Sequence, residues 1–187
     1  MRSSPRPPPN YTLVFLDRLD KGVRRDVWEN AHAYPRAWIP QRILPADGAV
    51  DAERLLARGA GDLRATSVIE RPTSAMLGAD GTGSAEVISV DWNEATFLVR
   101  ATGPSVVVTS DTTYPGWRAS VDGKATPIRP ANLAMRAVAV PAGTHRLVFS
   151  YRPRVLTYGI VLAAAGLTVV IGRVAAAGVA TARRKNS

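Results

Sequence analysis

The chain contains no cysteine. Disulfides, thiol nucleophiles and cysteine-based zinc sites are thereby excluded, although the missing thiol does not fix the redox compartment. Histidine is nearly as scarce, with two in 187 residues. His32 and His145 lie far apart and lack the spacing of metal ligands, and they support no Ser-His-Asp arrangement. No metal site and no cofactor are expected. Acidic side chains are short against basic ones, 15 Asp+Glu to 24 Lys+Arg, for a formal net charge of +9. Away from the two ends these cations are scattered rather than striped, and no nucleic-acid-binding motif accompanies them. Nucleic acid is therefore not an expected partner. The loop Ala79-Asp80-Gly81-Thr82-Gly83-Ser84 carries glycines but no lysine and no following helix, so it reads as a plain loop rather than a phosphate cradle. Residues 1–10, MRSSPRPPPN, lack the apolar core of a signal peptide and read as a Pro-rich linker.

What the chain does have is a series of short alternating segments. Tyr11 to Leu16 and Val23 to Trp28 read as strands. Pro35 and Pro40 forbid a helix interior in the segment that follows and confine it to sheet edges or bulges. Asp51 to Arg58 reads as the one soluble helix, capped by Asp51 and stopped by Gly59. Ala65 to Glu70 is a further strand, and residues 71–84 are a loop. Glu86 to Trp92 and Thr96 to Ala101 form a hairpin. Ser105 to Ser110, Trp117 to Val121, Ala125 to Arg129, Leu133 to Val140 and His145 to Tyr151 continue the series. The spacing predicts a mainly β fold, an antiparallel β-sandwich of jelly-roll or Ig-like type with one short helix, over residues 11–152.

From Val155 the composition changes. Residues 155–172, VLTYGIVLAAAGLTVVIG, carry no charge. As a helix this run is about 27 Å long, close to the roughly 30 Å hydrocarbon core of a bilayer. A transmembrane helix is expected over 153–182, with a cytoplasmic basic tail at 183–187. Arg152 and Arg154 flank one end; Arg173, Arg183, Arg184 and Lys185 flank the other. That excess puts the β-domain outside the cytoplasm. An exported domain needs a signal peptide or an upstream span, so the chain is expected to be a C-terminal fragment or split-off partner of a longer protein.

The centre of the chain is TSDTTYPGWRASVDG, residues 109–123. Val106-Val107-Val108 enters it, Tyr114-Pro115-Gly116 turns it, and Trp117 opens the strand WRASV. The expected arrangement is two paired strands joined by a Pro-Gly turn. Asp122-Gly123 then reads as a two-residue hairpin turn. Ser110, Asp111, Tyr114 to Trp117, Ala119, Val121 to Lys124, and Pro141 to Gly143 with His145 together resemble the end of YfhO-type bacterial membrane proteins. Asn30, Ala33, Pro35 and Arg36 fit an earlier segment of the same family, although Ala31 stands where a proline often follows the Asn. The resemblance implies a polytopic membrane protein related to lipid-linked-sugar glycosyltransferases, with an extracytoplasmic β-domain before its last span. The catalytic acids of that family lie between early membrane helices, so no catalytic residue is expected in this chain.

Tyr114 and Trp117, with Asp111, are the candidate ligand-binding residues, as an aromatic platform for a sugar ring. The competing reading makes Trp117 core and Tyr114 turn. Asp111, Asp122 and Glu29 are not paired by the sequence as a glycosidase would require. Expected partners are the lipid bilayer, membrane helices of the same or another protein, and a glycan or lipid-linked sugar. The bacterial cytoplasmic membrane is the expected location. Two further readings remain: a membrane-anchored carbohydrate-binding module, and a structural or assembly domain with no ligand.

Overall fold

A computed structural model describes residues 10–18, 24–59 and 61–185. The expected linker therefore lies outside the described residues except for Asn10. The chain divides into two compact units, Met1–Arg36 and Ala37–Ser187, and each is described by itself.

The first unit is a ribbon. β1 (Tyr11–Arg18) and β2 (Arg24–Asn30) run antiparallel from Tyr11 opposite Asn30 to Arg18 opposite Arg24, with a bulge between Leu13 and Phe15. The Asn30 carboxamide accepts the His32 N–H at 2.9 Å and holds the turn that follows. Pro35 and Arg36 end this unit.

The second unit holds two sheets. One has five antiparallel strands in the order β10-β9-β13-β7-β6. These are β6 (Gly83–Val90), β7 (Glu94–Ala101), β9 (Trp117–Val121), β10 (Lys124–Thr126) and β13 (Gly143–Tyr151). The other has six, β3-β8-β12-β11-β5-β4. They are β3 (Ala37–Trp38), β4 (Arg42–Ala46), β5 (Thr66–Glu70), β8 (Ser105–Thr109), β11 (Arg129–Ala131) and β12 (Met135–Val140). Phe97, Val99, Leu147 and Phe149 of the first sheet meet Val107, Val138 and Val140 of the second. Phe97 and Phe149 pack edge to face, with ring centres 6.0 Å apart. Each buried ring contributes about 2–3 kcal/mol by area, so this pair anchors the layer.

The six-stranded sheet is covered on its other face as well. Met76 of α2 (Ser74–Leu77) packs on Val106, Val108 and Ala137. At the β4–β5 edge, Ala52 and Leu55 of α1 (Ala49–Ala57) pack on Ala46 and Val68, on the face opposite Met76, because Val68 adjoins Ile69 of the Met76 cluster. Burial on both faces explains why β8, SVVVT, is apolar without alternation.

Several expectations are corrected. β8 and β9 do not pair: they lie in different sheets, and residues 110–116 carry the chain across. Pro141-Ala142 likewise links β12 to β13 across the sandwich. The segment expected as one strand from Ala125 to Arg129 is two, β10 and β11, split at Pro127-Ile128 and shared between the sheets. The expected 71–84 loop contains α2. β4 and β5 run parallel, joined through α1, so the sandwich is not purely antiparallel. Asp51 is not the cap of α1. Gly48 occupies that position, and Asp51 lies in the first turn, where its carboxylate accepts the Asp47 N–H at 3.1 Å. The glycine loop reads structurally: a Cβ on Gly81 would stand 2.3 Å from the Gly103 carbonyl oxygen, so two backbones meet where a side chain has no room.

β13 leads through Arg152-Pro153 into α3 (Arg154–Lys185), a helix of 32 residues. Among the described residues no helix is long and apolar enough to cross a membrane, so the expected transmembrane helix finds no support there.

Candidate functional site

Asp111, Tyr114 and Trp117 are brought together. With Trp92, Thr112, Arg136 and Tyr151 they line one open hollow of about 400 Å³. The crossing loop 110–116 supplies Asp111 and Tyr114, and the turn between β6 and β7 supplies Trp92. Two backbone bonds fix the loops to the end of β13. The Tyr151 N–H donates to the Asn93 carbonyl at 2.7 Å, and the Arg152 N–H donates to the Gly116 carbonyl at 2.8 Å. Gly116 has φ +106°, and a Cβ there would stand 2.9 Å from the Tyr151 ring and 3.3 Å from Pro153. Only glycine fits this backbone and this spacing. Pro115 sets the entry to the turn.

Arg136 decides what Trp117 can do. Its guanidinium carbon lies 3.8 Å from the centre of the Trp117 ring, a cation–π contact. Its Nε–H donates to the Thr112 carbonyl at 2.9 Å, and the residue is 4% exposed. Tyr151 tilts against the same indole, with ring centres 5.4 Å apart. A sugar platform needs a free ring face, and the guanidinium occupies one face of Trp117. Trp117 is thus built into the frame. Tyr114, 64% exposed, and Trp92, 99% exposed, are the rings open to a partner.

Sequence reasoning passed over Arg136 and Trp92. The signal for Arg136 was its parity: it shares a strand face with Val138 and Val140, both turned into the core. A cation on the buried parity of a strand demands a partner. Trp92 was read as part of a strand face, but β6 ends at Val90, and Trp92 stands in the turn beyond it.

Asp122, Gly123, Pro141, Gly143 and His145 lie at the other end of the sandwich. Asp122 has φ +50° and Gly123 φ +80°, the left-handed pair of a type I′ turn closing β9 on β10. One Asp122 oxygen accepts the Arg146 N–H at 2.8 Å; the other lies 2.6 Å from Nδ1 of His145. Nε2 of His145 faces the Ala142 carbonyl at 2.9 Å. Gly143, at φ +121°, follows Pro141-Ala142 and passes under the same imidazole. The hydrogen bond from His145, then that from the Arg146 backbone, holds the Asp122 carboxyl below its usual value. The Asp122 bond, then the Ala142 carbonyl, raises the pKa of His145. Glu29 and His32 belong to the first unit. Among the described residues no group of His, Asp and Glu is arranged to hold a metal.

No curated protein and no solved structure matches the chain. Residues 85–163, from β6 into the first turns of α3, do match the model of a family described as bacterial membrane protein YfhO, so this region is similar to that family.

Proposed function

We propose that the chain is the C-terminal part of a YfhO-like membrane protein, in which the sandwich is an accessory or substrate-handling domain for lipid-linked sugar transfer and α3 is the last membrane helix. The observation that carries this reading is the two-residue link Arg152-Pro153 between β13 and α3. With so short a connection, whatever α3 is embedded in must lie against the sandwich. The uncharged run 155–172, taken with the basic residues after it, favours a helix in the bilayer with its C-terminal end in the cytoplasm. Catalysis then belongs to upstream helices. The test is protease access in spheroplasts, with the chain produced behind an upstream membrane segment. The β-domain is expected to be cleaved and a C-terminal tag protected; a cleaved tag beside a protected β-domain refutes the orientation.

A sugar-binding role is favoured by one further feature, the exposed Tyr114 ring beside Asp111 in a hollow that is open to solvent. Calorimetry of the whole chain with cell-envelope oligosaccharides is expected to show binding that Tyr114→Ala and Asp111→Asn each weaken at least tenfold. Binding by neither wild type nor variant would leave an assembly domain without a ligand.

A further inference from the structure

The end of the sandwich from which α3 departs carries features that an aqueous surface does not explain. Trp92 is 99% exposed at the tip of the β6–β7 turn. Its backbone N–H donates to the Asp91 carboxylate at 2.7 Å, within the turn that presents the ring. Exposing a whole indole to water forgoes a few kcal/mol of burial, and indole settles at membrane–water interfaces when one is at hand. Tyr114 stands beside it in the same hollow. Tyr158, one turn into α3, is also exposed.

The charges at this end point the same way. Arg118 and Arg152 line a second hollow, of about 530 Å³, with Pro115, Gly116 and Val155 at the root of α3. Arg118 faces Ser150 across the ladder, and the Arg152 backbone bonds Gly116, so the two arginines are near neighbours at one corner. Glu94 lies in the same cross-strand row, one strand beyond Ser150. No ion pair joins it to either arginine among the described residues. Two neighbouring cations without a carboxylate between them repel one another unless an anion supplies the missing charge.

We propose that this end of the sandwich is a bilayer-contacting surface, with Trp92 set among lipid headgroups and Arg118 and Arg152 on the phosphates of anionic lipid. The inference rests on the reading of α3 as a membrane helix, because α3 fixes which end of the domain approaches the bilayer. The occupant is an anionic lipid surface, the partner that matches exposed indole and unpaired guanidinium together.

The test uses the full chain reconstituted in vesicles of phosphatidylcholine and phosphatidylglycerol, with tryptophan quenching by brominated lipids and an alkaline wash. In the wild type, brominated phosphatidylglycerol is expected to quench about twofold more than brominated phosphatidylcholine at equal mole fraction. Trp92→Phe is expected to remove about half of the quenching or more, since Trp92 is the most exposed of the four indoles. Arg118→Gln with Arg152→Gln is expected to abolish the preference between lipids while leaving the melting curve in place. If the chain resists the wash but Trp92→Phe quenches like wild type, the surface is overturned and the membrane helix stands. If the chain washes off, yet Trp92-dependent quenching was present before, the surface stands and the membrane-helix reading fails.

Discussion

His145 shows how a single residue can hold two loops at once. Both ring nitrogens face acceptors, the Asp122 carboxylate at 2.6 Å and the Ala142 carbonyl at 2.9 Å. Only the imidazolium donates to both, which is the cause of its raised pKa. The sign follows from linkage. A raised His pKa adds stability that is complete below the unfolded value near 6.5 and is lost as pH rises through the higher folded value. A lowered Asp122 pKa adds stability that is complete above 3.8 and is lost as pH falls through the lower folded value. The contact between the β9–β10 turn and the β12–β13 link is therefore strongest between those two limits. Proton NMR titration of the His145 ring is expected to give a midpoint above that of His in an unfolded peptide, and Asp122→Asn is expected to lower it. Equal midpoints in both forms would show that the pair does not couple.

Asn132 is the residue-scale feature that periodicity hid. It sits at φ +48° between β11 and β12 and is buried. Its side-chain oxygen accepts the Val68 N–H at 2.9 Å, and its own N–H donates to the Val68 carbonyl at 2.8 Å. The short turn Asn132-Leu133-Ala134 is thus stitched to β5, far away in sequence. Asn132→Ala leaves the Val68 N–H buried without its acceptor and places a less tolerant residue in the left-handed region. A loss of about 2–4 kcal/mol is expected in urea unfolding, whereas Asn132→Asp should retain part of it.

At the scale of elements, strand faces were legible and sheet membership was not. Trp117, Ala119 and Val121 alternate as expected, and β9 has the boundaries that the alternation indicates. Alternation reports only which side of a strand is buried. It says nothing about which sheet the strand joins, so β8 and β9 were expected as a pair although the loop between them crosses the sandwich. The helix-linked parallel pair β4–β5 was missed for a related reason, because Pro45 and the short length of β4 mark an edge but not a direction. The candidate hollow was half legible: Asp111, Tyr114 and Trp117 fall close together in sequence, while Trp92, Arg136 and Tyr151 come from three other segments. Gly116 ties that crossing loop to the root of α3. Gly116→Ala combines an unfavourable φ of +106° with a contact of 2.9 Å to the Tyr151 ring. A cost of about 1–3 kcal/mol is expected, read as a lower melting temperature. A variant that melts like wild type would mean that the loop can be re-seated without penalty.

At the scale of the whole molecule, the two layers account for the fold without α3. The three apolar clusters draw on both sheets, α1 and α2, and among the described residues none of their members belongs to α3. Trp117 and Arg136 close the end of the inter-sheet core nearest α3: the guanidinium covers the indole and stands 5.5 Å from the Phe149 ring centre. Removing α3 should therefore leave the sandwich intact, whereas removing Trp117 should not. A chain covering residues 37–153 is expected to give a β-type circular dichroism spectrum and a cooperative melt. Trp117→Ala in that piece is expected to cost about 3 kcal/mol, because it opens a cavity and strips a buried cation of its ring. A non-cooperative melt of residues 37–153 would mean that α3 is needed to complete the core. A Trp117→Ala piece that melts like its parent would mean that Phe149 and Thr112 suffice to hold Arg136.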